Sequence, residues 1–229
     1  LAWQLFGDAA KDGDLIFPES GNKVPDFLDE IRYGTEFLIR MADKDGAAFG
    51  KAHELGTSPP EADKTPVQLT QTSSASTMTR CAALAYAALV WKESHLDDAF
   101  AKTCQDEALK AWKLLETKPH PWNGGGEEPK MKGKNTFRDW FHVDYGQMRA
   151  TAAACFFVLT GSADYDKIVK DEAAKWKQFP PGEGHELYPG MWVYARAKGA
   201  DAATVETIRK FFTGAADTVV QWSGTNRGY

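Results

Sequence analysis

The stretch Phe17-Pro18-Glu19-Ser20-Gly21-Asn22-Lys23-Val24-Pro25-Asp26-Phe27-Leu28-Asp29-Glu30 changes character halfway along. Its first part is rich in turn formers. Pro25 then suits the first turn of a helix, where its missing N–H is no loss. Asp26, Asp29 and Glu30 favour the positive end of the helix dipole, and Arg40 and Lys44 favour the negative end. From Pro25 onward, Phe27, Ile31, Gly34, Leu38 and Met41 recur at helical spacing and are expected to face inward. The stretch therefore reads as a loop followed by a helix start.

The same period governs the rest of the chain. A second helix is expected from about Ser76 to Lys92, with Met78, Cys81, Ala85, Ala88 and Leu89 inward. A third, about Leu96 to Leu115, brings Phe100, Cys104, Ala108, Ala111 and Leu115 together. A fourth covers roughly Tyr145 to Thr160, with Met148, Ala152, Cys155, Phe156 and Leu159 on one side. A fifth runs from about Asp164 to Gln178 and a short sixth from Tyr188 to Lys198. The seventh, Ala202 to Trp222, carries the cleanest stripe: Val205, Ile208, Phe212, Ala215, Val219 and Trp222. No stretch alternates with period two, so the chain reads as all-α. Short turns such as Thr160-Gly161-Ser162 alternate with long Pro-, Gly- and charge-rich connectors at 46–74, 118–139 and 179–187. That is the pattern of helical hairpins in an α/α toroid, with short loops on one rim and a binding surface on the other. Nothing reads as a domain linker, and residues 1–229 are treated as one unit.

Composition narrows the classes of function. The 229 residues are 43 % hydrophobic and 26 % charged, ordinary for a globular protein. A net charge of -5 argues against a nucleic-acid partner, which would favour a basic face. No apolar run approaches the ~18 residues of a membrane span, so no membrane partner is expected. The opening Leu1-Ala2-Trp3-Gln4-Leu5-Phe6 has no basic leader region and begins inside a helix-like pattern, as the interior of a longer chain would. Cys81, Cys104 and Cys155 each sit among apolar helical residues. They read as buried free thiols, with one disulfide and a leftover thiol as the alternative.

The opening stretch also resembles a segment of glycoside hydrolase family 9, the cellulase-type catalytic domains. The likeness rests on Pro18 to Asn22, Val24-Pro25-Asp26, Leu28-Asp29-Glu30, Arg32-Tyr33-Gly34, and Leu38 with Met41. Fainter likenesses follow in order at Asp45-Gly46 with Phe49-Gly50-Lys51, Ser76 to Ala88, Leu159-Thr160-Gly161 with Tyr165, Asp217 to Val220, and Asn226 to Tyr229. The resemblance implies an (α/α)6 toroid or barrel of which this chain covers roughly the middle half. The remainder of the same domain would complete it.

It also implies inverting hydrolysis of β-1,4-glucan or a related polysaccharide or oligosaccharide by a secreted enzyme. Inversion needs a carboxylic acid to protonate the leaving oxygen and a carboxylate to activate water on the opposite ring face, ~6.5–9.5 Å away. In the family the base precedes the opening segment and the acid lies near the end of the domain. Neither catalytic carboxylate is therefore expected within residues 1–229. Asp8 and Asp12-Gly13-Asp14 read as solvated turn residues, Glu19 as a loop acceptor, and Asp26 as favouring the helix N-terminus.

Substrate contacts are expected at Trp140, His142 and Tyr145, part of the aromatic and polar cluster Trp140-Phe141-His142-Val143-Asp144-Tyr145. His185 and Tyr188 stand where another platform loop would fall, and Trp122 is a looser candidate. His53 is weighed as a contact because the family's His-Lys pair is represented here by Gly50-Lys51. A hydrophobic plug capping a helix, or a solvated loop histidine, is the competing reading of these positions. At Val143 to Met148, where many relatives have a calcium site, only Asp144 offers a hard-oxygen side chain, so a structural calcium is not supported by the residues present. No metal site and no cofactor are expected. The departures at Gly50 and at 143–149 keep two alternatives open: a non-catalytic glycan-binding or structural α/α module, and an exo-acting hydrolase on amino-sugar oligomers.

Overall fold

The computed structural model describes residues 2–53, 68–118, 145–175 and 189–225. Its helices are α1 (Ala2–Phe6), α2 (Asp26–Arg40), α3 (Ser74–Ser94), α4 (Asp98–Thr117), α5 (Tyr145–Thr160), α6 (Ala163–Ala173), α7 (Pro189–Ala195) and α8 (Ala202–Thr225), with a 3-10 turn at Gly7–Ala9. Among the described residues the regular structure is helical apart from a small ribbon and two isolated bridges, Ala42–Ala48 and Phe49–Thr72, which the periodicity did not predict. Two-residue strands, β1 (Ala52–His53) and β2 (Gln68–Leu69), pair antiparallel with Ala52 opposite Leu69 and His53 opposite Gln68. Pairs this short follow from backbone hydrogen bonding at a loop base, so no two-residue alternation announces them. Chain contacts divide the molecule into two compact units, Leu1–Tyr145 and Gly146–Tyr229.

The first unit centres on the α3–α4 hairpin. Ser73 caps α3 by accepting from the Ser76 amide at 3.1 Å, and His95 ends it in the left-handed region at φ 57°. Asp97 then caps α4 by accepting from the Phe100 amide at 2.8 Å. All the residues expected inward on these two helices are buried: Met78, Cys81, Ala85, Ala88 and Leu89 on α3, and Phe100, Cys104, Ala108, Ala111 and Leu115 on α4. The alanines let the backbones approach closely, so that the Cys81 thiol donates to the Ala108 carbonyl at 3.2 Å. Burial pushes the thiols of Cys81 and Cys104 up to about 12. All three cysteines are buried and free, the first of the two readings.

Helix α2 is where the expected stripe fails. Its buried residues are Asp26, Leu28, Asp29 and Thr35, while Phe27, Tyr33, Gly34 and Phe37 are exposed. Ile31 and Leu38 are half-buried, and only Met41, just past the helix, is buried as expected. The inward face was missed because three of its four members are polar. Each of the three is satisfied locally: Asp26 by loop groups, Asp29 by Asn22, and Thr35 by donating to the Ile31 carbonyl at 2.7 Å. Hydrophobicity alone cannot point to such a face.

In the second unit α5 has its expected bounds and buries Ala150 through Phe157. Ser162 caps α6 by accepting from the Asp164 amide at 3.3 Å. Helix α6 stops at Ala173, short of the Gln178 expected, and α7 (Pro189–Ala195) ends short of the Lys198 expected, while Tyr188, its expected first residue, lies outside the described residues. Helix α8 packs on α6 and α7, yet of its described stripe only Ile208 is fully buried, and Val219 is 63 % exposed. Length explains this: at 1.5 Å per residue α8 is about 36 Å long and α6 about 16 Å, so the second half of α8 runs past both described neighbours. Among the described residues no helix is long and apolar enough to cross a membrane.

Candidate functional site

The loop leading into α2 is built by carboxylates accepting from backbone amides. Asp26, fully buried, accepts from Gly13 N at 3.0 Å, Leu15 N at 2.6 Å and Ser20 Oγ at 3.0 Å. The Gly13 amide foremost, joined by Leu15 and Ser20, holds the Asp26 carboxyl below its ordinary range despite the opposing effect of burial. Asp12 accepts from Gly21 N at 2.5 Å and Lys23 N at 2.7 Å, which fixes Lys23 in the left-handed region at φ 73°. Asn22 spans both partners: its amide donates to the two Asp29 oxygens at 3.1 Å, and its oxygen accepts from Val24 N at 2.7 Å. Asp14 accepts from Lys11 N at 2.7 Å. The loop acceptors are thus Asp12, Asp14, Asn22 and Asp26, whereas Glu19 is exposed. Asp26 turns its oxygens toward the loop, and Asp12 is a structural acceptor. A hollow of about 330 Å³, walled mainly by Trp3, Phe6, Leu15 and Phe27, opens beside this loop.

After α2 the chain makes a second anchored turn. Asp43 Oδ1 accepts from Asp45 N and Ala47 N, both at 2.9 Å, and Phe49 N donates to the Met41 carbonyl at 3.1 Å. Thr77 Oγ1 on α3 accepts from Ala48 N at 2.9 Å, which pins the turn to that helix. Thr70 Oγ1 accepts from Lys51 N at 2.8 Å at the base of the β1–β2 ribbon, whose backbone carries His53. At Gly50, where the family's histidine was expected, a Cβ would stand 3.1 Å from Thr70 Oγ1 and 3.2 Å from Ser76 Oγ. Any side chain there meets two hydroxyls at closer than ordinary contact.

Tyr145, half-buried, is the first residue of α5. Trp140, His142, His185 and Tyr188 lie outside the described residues, as do Trp122, Phe141, Asp144 and Glu186. The structure does place the helices they lead into. A Cβ on Gly190 of α7 would overlap Thr151 Cα of α5 and stand 2.8 Å from Thr151 Oγ1. One or two turns further on, the Phe157 and Tyr194 rings lie 5.6 Å apart. Two contacts advancing in the same order on both helices make α5 and α7 parallel, so both begin at the same end of the pair.

Several polar residues that organise these units went unread in the sequence. Arg80 is 2 % exposed, and its Nε donates to the Leu38 carbonyl at 2.7 Å. Its Nη2 donates to the Ile39 carbonyl at 3.1 Å and to Glu107 at 2.7 Å. A lone arginine inside an alanine-rich helix was the signal available for it. Arg32 pairs with Asp97 at 2.9 Å and Glu36 at 3.0 Å and lies over the Phe100 ring at 4.4 Å. In the second unit the buried Tyr194 hydroxyl donates to Asp166 and accepts from Asp201 N, which raises its ionisation well above that of a free tyrosine, burial being the larger cause.

The sequence profile described as "Glycosyl hydrolase family 9" matches residues 2–225. Endoglucanase D of Acetivibrio thermocellus is 26 % identical over 240 aligned residues, covering 100 % of this chain and 37 % of its own length. A cellulose 1,4-beta-cellobiosidase from Acetivibrio thermocellus is 33 % identical over 176 residues, 69 % of this chain and 18 % of its own. Among solved structures, a metagenome-derived glycoside hydrolase family 9 endoglucanase superposes with a TM-score of 0.80 at 30 % identity, covering 96 % of this chain and 40 % of that one. The chain thus spans about two fifths of the length of Endoglucanase D and of that solved enzyme.

Proposed function

This chain belongs to glycosyl hydrolase family 9, whose fold is the (α/α)6 barrel, and from that membership we propose that the protein carrying it hydrolyses β-1,4-glucan with inversion. The observation that carries the reading is the family match across residues 2–225, which takes in the anchored loop before α2. The acid and the base that inversion requires are assigned to sequence flanking this chain, as is the part of the barrel that completes the domain. Within the chain, residues 1–229 form one partial catalytic domain. Asp12 and Asp26 shape it: both oxygens of each accept from backbone amides and are poorly placed to activate water, and Asp14 accepts from Lys11 N through one oxygen. Substrate contacts are assigned to Trp140, His142, Tyr145, His185, Tyr188 and His53. The substrate is a polysaccharide or its oligomers, the enzyme works outside the cell, and neither a cofactor nor a nucleic acid takes part.

The test is sugar release by the intact protein from cellulose, mixed-linkage glucan and chitosan oligomers, with the product anomer followed by NMR. Release from the glucans with the inverted anomer as first product is expected, and residues 1–229 alone should give no turnover. No release from any glucan would overturn the reading. Release from chitosan oligomers alone would replace the substrate with an amino sugar.

A further inference from the structure

We propose that the apolar side of α2 formed by Phe27, Ile31, Gly34 and Leu38 seats the helix that leads into α1, built from sequence preceding Leu1. The proposal rests on the reading above that flanking sequence completes this domain, and adds the surface at which one flanking helix joins it. Spacings of four, three and four residues put these positions on one side of α2, along about 17 Å of its length. The neighbouring side carries Leu28 and Thr35, both buried, and α2 packs on α3 and α4. Burial fades from there: Ile31 and Leu38 are half-buried, while Phe27 is 36 % exposed and Phe37, at the far margin, 45 %. A Cβ on Gly34 would meet no atom within 4 Å. Glu30 is exposed beside the strip. Single exposed apolar residues are ordinary, but an unbroken apolar strip over three turns marks a contact surface.

What lies at the start of the strip decides which segment covers it. Trp3 and Phe6 of α1 wall the hollow together with Phe27, the first member of the strip, so the apolar surface continues from α1 onto α2. Gln4 holds α1 beside α3, accepting from Tyr86 Oη at 2.6 Å and donating to Glu93 at 2.9 Å. The loop then returns the chain, with Asp26 N donating to the Lys11 carbonyl at 3.2 Å, so the end of α1 lies close to the start of α2. Consecutive elements pack as neighbours, and a helix entering α1 from upstream then runs antiparallel to α2 and over the strip. The described part of α1 buries none of its five residues, and Phe6 is 69 % exposed, so it covers no more than the strip's start. The chain spans 37 % of the length of Endoglucanase D, which leaves room for such a helix in the flanking sequence.

The test replaces Phe37 in the intact protein by the photoreactive p-benzoylphenylalanine, which keeps an aromatic ring at this exposed position, and maps the crosslink by mass spectrometry after irradiation. Phe37 stands ten residues after Phe27, so in an antiparallel pair it faces a residue about ten before Trp3 or Phe6. The crosslink is therefore expected within about ten residues upstream of Leu1. A crosslink to sequence after Tyr229, to another part of residues 1–229 or to a second copy would overturn the proposal, as would reaction with solvent alone. Phe37→Cys supplies the answer should that variant not fold, because Cys81, Cys104 and Cys155 are buried and compete little for a thiol reagent. Its labelling in the folded intact protein should be at least about tenfold slower than in urea, since the covering helix must open first. Equal rates would count against any cover on the strip. Sugar release is read on the same samples. A crosslink upstream of Leu1 in a protein that releases no sugar keeps the packing and sinks the hydrolase reading; a crosslink elsewhere in an active enzyme does the reverse.

Discussion

The two compact units are held by different physics. In Leu1–Tyr145 α3 and α4 pack through alanines and the Trp91 and Phe100 rings, 5.3 Å apart, but the joints that α2 makes with them are charged or polar. Arg80 ties the last carbonyls of α2 to Glu107 on α4, Arg32 ties α2 to the cap of α4, and Asp26 gathers a loop around the start of α2. In Gly146–Tyr229 the joints are contacts of small and aromatic residues: Gly190 on Thr151, Phe156 on Tyr165 at 5.0 Å, and Phe157 on Tyr194. A polar knot, Tyr194 with Asp166 and Asp201 N, is added to this apolar seam. A polar joint fixes direction because hydrogen bonds are directional, and it is costly to break halfway, since the surviving partner stays buried. An apolar joint fixes distance through close packing.

The largest expected effect tests the apolar unit. Phe156→Ala removes a fully buried ring and should cost about 3–5 kcal/mol, with faster hydrogen exchange in α5 and α6 and little change in α3. Arg80→Ala should be next, at about 3 kcal/mol, because it strands the Leu38 and Ile39 carbonyls and unpairs Glu107. Its exchange signature should appear at the C-terminal end of α2 and in the turn at 41–50. Loss of protection spread evenly over both units by either variant would erase the distinction drawn between them.

That contrast also explains what could be read from sequence. The expected stripes of α3 and α4 follow from period alone because each of their members is apolar or a thiol, although α3 also buries Ser74, Thr77 and Arg80; on α5 the expected Ala152, Cys155 and Phe156 are buried, while Met148 and Leu159 are half-buried. Residues 202–222 show the opposite error. The stripe is genuine, but burial needs a neighbour as long as the helix, and the described parts of α6 and α7 are shorter than α8. On α2 the inward side is Asp26, Leu28, Asp29 and Thr35, so the apolar stripe pointed elsewhere. The motif from Pro18 to Glu30 identified the family without revealing that Asp12, well before it, is one of the loop's acceptors. Long-range hydrogen bonds have no period, so pattern reading does not register them. Of the candidate contacts, only Tyr145 and the backbone of His53 fall among the described residues, and the close approach of α7 to Thr151 depends on Gly190, which the sequence reading did not single out.

Acid should separate Asp26→Asn from the wild type. The folded-state pKa of Asp26 is lowered, so its contribution is fully present above the unfolded value of about 4 and is lost as pH falls through the folded value. At neutral pH the variant should melt below the wild type, since an amide cannot accept as a carboxylate does from Gly13 N, Leu15 N and Ser20 Oγ. The gap should close progressively below about pH 4. A gap that stays constant down to pH 2 would mean that Asp26 acts by shape and not by charge. The effect should be smaller than that of Arg80→Ala, because asparagine keeps part of the acceptor set.

The smallest effect compares one helix cap from each unit. Asp97 and Asp201 do the same local work, accepting from the amide three residues on at 2.8 Å, and both have lowered pKa values, led by hydrogen bonds to Phe100 N and to Thr204 respectively. They differ in what else they hold. Asp97 also accepts from Arg32, whereas the second bond of Asp201 goes to the hydroxyl of Thr204, inside its own cap. Asparagine is as good a cap as aspartate, so Asp201→Asn should be nearly silent at neutral pH. Asp97→Asn should lower the melting temperature measurably, because it removes the charge facing Arg32. The pair is partly exposed, with side chains 36 % and 29 % accessible, so salt should screen it. The difference between the two variants should therefore shrink between 0.05 and 1 M sodium chloride, where the Debye length falls to about 3 Å. If both variants are equally silent at low salt, the Arg32–Asp97 pair is a surface ion pair of no consequence, and the first unit rests on Arg80 and Asp26 alone.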